Sequence, residues 1–156
     1  MNLEFKSLSE VDKTDIINLM NNELVRRQMP LLKGEFTEAS CDRFIASKER
    51  LWAEHGYGPW AFIIEGTFAG WGGLQPEEGE VDLALVLHPD FWGTGKALYK
   101  EIIRRAFEEM NMESVTVLFP PSRIRIQGFL RLSFKEDKVI NMGKETFIRY
   151  RLQKPA

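Results

Sequence analysis

The sequence predicts a mixed α/β (α+β) fold: a mostly antiparallel sheet of about seven strands, a central parallel βαβ unit and about four helices. Three observations carry this prediction. Short alternating or continuous apolar runs recur along the chain, separated by Gly, Pro, Asn and acidic turn signals. Longer segments between them repeat apolar residues at helical spacing. In mid-chain, Val81 to Phe119 reads as strand, turn, helix, strand, a succession that leaves its two strands parallel with a right-handed crossover.

Leu3 and Phe5 alternate with Glu4 and Lys6, as in a short half-buried strand. Ser9, with Asp12 three residues on, resembles a capping box, and Val11, Ile16, Leu19, Met20 and Leu24 then follow at helical spacing. Pro30 and Gly34 mark a loop. Thr37 caps a second helix with Cys41, Phe44, Ile45, Leu51 and Trp52 on its inner side, and Gly56 stops it. WAFIIEGTFAGWGGL is two strands about a turn at Glu65, Gly66 and Thr67. Gly70, Gly72 and Gly73 leave two readings of the second strand open: a twisted edge, or a surface that another backbone or a ligand approaches closely. Trp60, Phe62 and Trp71 read as aromatic core, with the lining of an acceptor cleft as the alternative. Pro76 to Gly79 is an acidic turn.

Val81 to Leu87 is apolar on both faces except at Asp82, the pattern of a central strand. Leu98, Ile102, Ala106, Phe107 and Met110 form one face of the helix that follows, and Ser114 to Phe119 is the next strand. Pro120 opens a short helix ending near Leu132. Strands at Phe134 to Ile140 and Thr146 to Leu152 meet around Asn141 to Gly143. Tyr99 and Tyr150 read as packing residues. No linker, repeat or low-complexity stretch interrupts the pattern, so residues 1–156 are expected to form a single domain.

The bulk numbers exclude several function classes. A net charge of −2 gives no global basic field for nucleic acid. The single cysteine, Cys41, rules out an internal disulfide framework and a cysteine-rich zinc site, and only two histidines, His55 and His88, are available, so no metal is expected. Cys41 reads as a buried helix-face residue. The N-terminus lacks a signal-peptide pattern and no apolar stretch is long enough to span a bilayer, so the expectation is a cytoplasmic protein without a membrane partner.

The chemistry concentrates in HPDFWGTGKALYK, residues 88–100. A helix N-terminus leaves amides unpaired and carries partial positive charge, and glycine lets the backbone approach an anion. Gly93, Thr94, Gly95, Lys96 and Ala97 can therefore cradle a phosphate or diphosphate, with Lys96 adding charge. The plainer alternative is a tight strand-to-helix connection. The kinase-type P-loop spacing is absent, and Leu98 stands where the dinucleotide fingerprint needs its third glycine. Coenzyme A is the remaining nucleotide-bearing candidate.

VDLALVLHPDFWGTGKA resembles the acetyl-CoA motif of the GNAT N-acetyltransferase superfamily: a strand, a hydrophobic-x-Pro exit, then Gln/Arg-Gly-x-Gly-x-Gly/Ala. The likeness runs on through VTVLF and PPSRIRIQGFLRLSF, and upstream through GYGPWAF and GTFAGWGGL, and is nearest to the branch of the ribosomal-protein N-terminal acetyltransferases. It implies an enzyme that moves acetyl from acetyl-CoA, its co-substrate, to a primary amine on a small molecule or a protein N-terminus. Amides of Gly93 to Ala97 would hold the diphosphate. Main-chain groups of Leu85 and Leu87 would pair with pantetheine, in a cleft opened by splaying of the neighbouring strand. An amide N–H would polarise the developing oxyanion. Asp82, matching a frequent Glu, is the first candidate base and Glu80 the second. The acids Glu77, Glu78, Glu80 and Asp82 would favour a cationic acceptor, with a solvated loop as the alternative reading of the acidic turn. His88, just past the strand, is a titratable turn residue.

The chain departs from the family pattern at five places. Trp92 stands where Gln or Arg is usual, at a position expected to contribute mainly backbone. Ser122 replaces an Asn and Arg125 a Ser or Ala; Ser122, Arg123 and Arg125 are candidate contacts for CoA, with solvated helix arginines as the plainer reading of the last two. Ser133 replaces the glycine before Phe134. Phe129 occupies the place of the tyrosine that protonates the leaving thiolate, which phenylalanine cannot do. This last departure supports the alternative of a non-catalytic acyl-CoA-binding sensor or partner-binding module. A homodimer is left open.

Overall fold

A seven-stranded sheet in the order β1-β2-β3-β4-β5-β7-β6 organises the computed structural model, which describes residues 1–121 and 127–156. The strands are β1 (Leu3–Lys6), β2 (Pro59–Ile64), β3 (Thr67–Glu77), β4 (Glu80–Leu87), β5 (Ser114–Phe119), β6 (Lys135–Met142) and β7 (Glu145–Gln153). The α-helices among the described residues are α1 (Lys13–Asn21), α2 (Glu23–Arg26), α3 (Glu38–His55), α4 (Gly95–Arg104) and α5 (Gln127–Arg131). β4 and β5 run parallel with Asp82 opposite Thr116, as the mid-chain succession requires, whereas β1–β2, β2–β3, β5–β7 and β6–β7 are antiparallel. Among the described residues, no helix is long and apolar enough to cross a membrane.

The described chain divides into two compact units, Met1–Gln75 with Leu85–Gly95, and Pro76–Ala84 with Lys96–Ala156. In the first, Ile16, Leu19 and Met20 of α1, Val25 of α2, Cys41 of α3, Ala61 of β2 and Trp71 of β3 form one buried cluster. Phe62 is fully buried and the Trp71 indole N–H points at Met20 Sδ, 3.4 Å away, so these two aromatics are core. Burying each large apolar side chain contributes about 1.5–3 kcal/mol.

Two local expectations are corrected here. Asp12, not Ser9, caps α1, its carboxylate accepting the Thr14 N–H at 3.1 Å; the capping box nearby is Ser7 with Glu10. The predicted helix through Leu24 breaks at Asn22, whose extended backbone (φ −63°, ψ 128°) lets its side chain accept the amides of Leu24 and Val25 and start α2. The break turns Leu24 outward and Val25 into the core. A short polar side chain that competes for backbone amides suits a cap better than a helix interior.

Thr37 caps α3 as expected, and Gly56 ends it at φ +74°. Glu65 and Gly66 both take left-handed conformations in the β2–β3 turn. The glycine-rich β3 is an interior strand. A Cβ on Gly70 would lie 2.1 Å from the Val86 carbonyl oxygen of β4, so glycine here admits a neighbouring backbone.

In the second unit, Leu98 and Ile102 of α4 and Val115 and Val117 of β5 are buried. Phe129 of α5 lies edge-on to Tyr99 at 4.5 Å and packs on Phe119 at 4.7 Å, so it is a core ring. Tyr99 and Tyr150 are buried, as expected of packing residues. Ser133, just after α5, sits at φ +76°. Left-handed backbone costs a residue with a Cβ about 1–2 kcal/mol, and glycine escapes that cost. Ser133→Gly is therefore expected to raise the thermal midpoint by a few degrees, by calorimetry. An unchanged or lower midpoint would show that the serine carries no strain.

Candidate active site

β4 holds both candidate acids and combines a buried polar position with an exit into a turn. Alternation along an otherwise apolar strand points Asp82 inward, where it is 4% exposed. Its Oδ1 accepts the Thr116 hydroxyl at 2.8 Å, across the parallel pair. Burial pushes the carboxyl up to about 7; the Thr116 hydrogen bond and the more distant Arg149 charge pull the other way, and Glu77 adds to the rise. The hydrogen-bond partner of Asp82 is thus a hydroxyl and not an arginine.

Glu80, two residues earlier on β4, has the opposite environment. The Arg151 guanidinium donates to both of its oxygens, each at 2.9 Å. That pairing holds its pKa below the ordinary carboxylate value. Arg151 also donates to Asp137, which accepts from Arg149 at 2.7 Å. A carboxylate committed to an arginine network is a poor proton acceptor near neutral pH, so the structure gives Glu80 the surroundings of a structural residue and leaves Asp82 the stronger candidate.

The turn after β4 is wound. Pro89–Thr94 is a 3₁₀ helix that passes into α4 at Gly95, which has φ −54° and ψ −42°. Neither Gly93 nor Gly95 takes a left-handed conformation. A Cβ at Gly93 would meet no atom within 4 Å, and one at Gly95 only Leu87 Cδ1 at 3.9 Å. The fold needs glycine at neither place, although glycine costs about 0.5–1 kcal/mol relative to alanine in a helix. Gly93 leaves bare main chain facing open space; Gly95 is half-buried beside Leu87 and donates its amide to the Trp92 carbonyl. Lys96 and Ala97 follow, both exposed, in the first turn of α4, which continues directly from the 3₁₀ helix. Thr94 turns its hydroxyl to the Phe91 carbonyl at 2.6 Å.

His88 caps the 3₁₀ helix, its Nδ1 accepting the Asp90 amide at 3.1 Å. Leu85 is partly exposed and Leu87 is buried at the strand end. Trp92 does more than lend its backbone: its indole N–H donates to the Leu87 carbonyl at 2.9 Å, while the side chain stays 43% exposed. Ser122, Arg123 and Arg125 lie outside the described residues. Sequence reasoning missed Thr116, for which the one signal was a hydroxyl inside the apolar run VTVLF. It also missed Arg151, for which the sequence held none.

The sequence matches the family model described as the acetyltransferase (GNAT) domain over residues 2–130. No curated protein matches it. Among solved structures, an acetyltransferase of the GNAT family from Bacillus anthracis superposes with a TM-score of 0.76 at 15% identity, covering 99% of this chain and 96% of that one. The Campylobacter jejuni N-acetyltransferase PseH, solved with acetyl coenzyme A, gives 0.67 at 14% identity, with 99% and 100% covered. A chimera of the spermidine N-acetyltransferase SpeG from Vibrio cholerae and hSSAT gives 0.72 at 12% identity, with 99% and 96% covered. At these identities the structural likeness is one of fold. The family match supports the superfamily and not the narrower ribosomal-protein branch.

Proposed function

We propose, from the premise that this chain belongs to the acetyltransferase (GNAT) domain family, that it transfers acetyl from acetyl-CoA to a primary amine by direct attack. The observation that carries the reading is the pair Gly93 and Gly95, helical in a turn where a side chain would fit, so that their value lies in what approaches from outside.

Main chain of residues 93–97 takes the CoA diphosphate, at amides other than that of Gly95, which is donated to the Trp92 carbonyl, with Lys96 contributing charge at the rim. The strand end at Leu85 and Leu87 offers main-chain groups to pantetheine. Asp82 is the base. With its pKa at about 7 it is substantially ionised at neutral pH and still binds a proton well, the balance general-base catalysis favours. The amine nitrogen attacks the thioester carbonyl carbon, the C–S bond breaks as the amide forms, and CoA departs as thiolate. The ammonium proton passes to Asp82, through water where the distance requires it. A thiolate whose conjugate acid resembles cysteine, pKa about 8.5, leaves without a proton donor, so Phe129 in the core is compatible with turnover. Holding both reactants supplies much of the acceleration. The spermidine enzyme among the similar folds supports a small amine as acceptor; Glu80, neutralised by Arg151, contributes little to attracting a cation.

Titrating the protein with acetyl-CoA in a calorimeter tests the first half. Saturable binding with a dissociation constant of about 1 μM to 1 mM is expected. Absence of heat across that range would end the reading. Release of CoA thiol is then followed with a panel of amines: spermidine, a peptide with a free N-terminus and an aminoglycoside. Thiol release with at least one of them is expected. Binding without release from any amine would favour the second reading, a non-catalytic acyl-CoA-binding module, which the buried phenyl ring of Phe129 supports.

A further inference from the structure

We propose that Trp92 is a positioning residue for acetyl-CoA: its indole N–H ties the end of β4 to the glycine turn and so holds the diphosphate-binding main chain in place before the ligand arrives. The inference rests on the reading that residues 93–97 grip the diphosphate.

The turn is laced by short-range bonds. The Phe91 amide donates to the His88 carbonyl at 2.8 Å, and the Asp90 amide to His88 Nδ1 at 3.1 Å. The Thr94 hydroxyl donates to the Phe91 carbonyl at 2.6 Å, and the Gly95 amide to the Trp92 carbonyl. All four stay between residues 88 and 95. The Trp92 indole reaches back instead, 2.9 Å to the Leu87 carbonyl, the last residue of β4. Gly93 and Gly95, directly after it, carry no side chain to wedge the turn in place, and a Cβ at Gly93 would touch nothing. Their freedom is set against the clip at residue 92.

Burial does not explain this tryptophan. It is 43% exposed, whereas Trp71 is 5% exposed. A side chain with over two-fifths of its surface in solvent and its one polar atom directed at the main chain contributes geometry more than core. Ordering a binding loop in the free protein removes a cost that binding would otherwise bear, and so tightens affinity without adding a contact.

The test compares Trp92→Phe, which keeps a ring and loses the donor, with Trp92→Gln, which loses the ring and keeps a side-chain N–H. Dissociation constants for acetyl-CoA are measured by calorimetry, with thermal midpoints alongside, and Gly95→Leu serves as the control for the diphosphate site. Trp92→Phe is expected to weaken acetyl-CoA binding about three- to tenfold, the range of one hydrogen bond, and Trp92→Gln to recover part of that loss. In an active preparation the same Phe variant raises KM for acetyl-CoA and leaves kcat near wild type. Unchanged affinity in Trp92→Phe, with binding lost in Gly95→Leu, would overturn the inference and leave the diphosphate reading standing. Equal losses in the Phe and Gln variants would assign the effect to the ring and overturn the N–H clip. Wild-type affinity in Gly95→Leu would overturn the diphosphate reading, and the inference with it.

Discussion

Gly95→Leu is expected to abolish acetyl-CoA binding while the protein stays folded. The two halves of this result come from one geometric fact. A Cβ at Gly95 meets only Leu87 Cδ1, at 3.9 Å, which is ordinary contact, and the backbone is already right-handed helical. Replacing this glycine therefore relieves the entropy that a helical glycine costs; Gly95→Ala is expected to raise stability by about 0.5–1 kcal/mol. A ligand approaching the same main chain meets the new side chain directly. Hydrogen bonds to charged groups contribute about 1.5–3 kcal/mol each, so losing two of them weakens binding about 100-fold or more. Calorimetric titration and a thermal melt on the same sample check both halves. Full affinity in a folded Gly95→Leu protein would remove the diphosphate from this turn.

Asp82→Asn should lower turnover at pH 7–8 by about 100-fold or more, as removal of a general base does, with acetyl-CoA affinity near wild type. The wild-type rate should rise with pH through about 7, where the Asp82 carboxyl ionises, and that limb should vanish in the variant. Stability gives an independent check, and its sign is opposite to that of a salt-bridged acid. The folded pKa, about 7, lies above the ordinary value of 3.8, because burial disfavours the charged form. Below 3.8 the acid is protonated folded or unfolded and carries no penalty. As pH rises from there through about 7, the unfolded chain releases its proton more readily, and the native state loses stability. The neutral amide of the variant escapes this loss. The variant should accordingly be more stable than wild type at pH 8, by up to roughly 4 kcal/mol, with the gain fading toward pH 4. Equal stability of variant and wild type at pH 8 would show that Asp82 is not desolvated, and an unchanged rate would remove it as base.

Much of the architecture was legible because it depends on neighbours in sequence. Val81 to Leu87, apolar on both faces, announced a central strand, and Glu65–Gly66 announced a hairpin whose two residues take left-handed backbone. Thr37 and Gly56 bounded α3 correctly. Failures arose where two local choices competed. Asn22 could continue a helix or cap a new one, and the periodicity of Leu19, Met20 and Leu24 favoured the wrong option by one residue. At the candidate site, the glycine spacing was visible but its winding was not. Gly-Thr-Gly reads equally as an open loop and as a 3₁₀-to-α junction.

By itself, the sequence determined which segments are strands and helices, that one crossover makes β4 and β5 parallel, and that Asp82 is the polar exception in an apolar strand. These are short-range matters of periodicity, caps and turn chemistry. Tertiary structure alone decided the surroundings of each acid. Asp82 meets Thr116, 34 residues away, and keeps a proton to about neutral pH; Glu80 meets Arg151, 71 residues away, and does not. The two carboxylates are chemically alike and nearly adjacent on one strand. Their difference lies in what chain folding places opposite each of them, because the free energy of a charge depends on its solvation and on its partners.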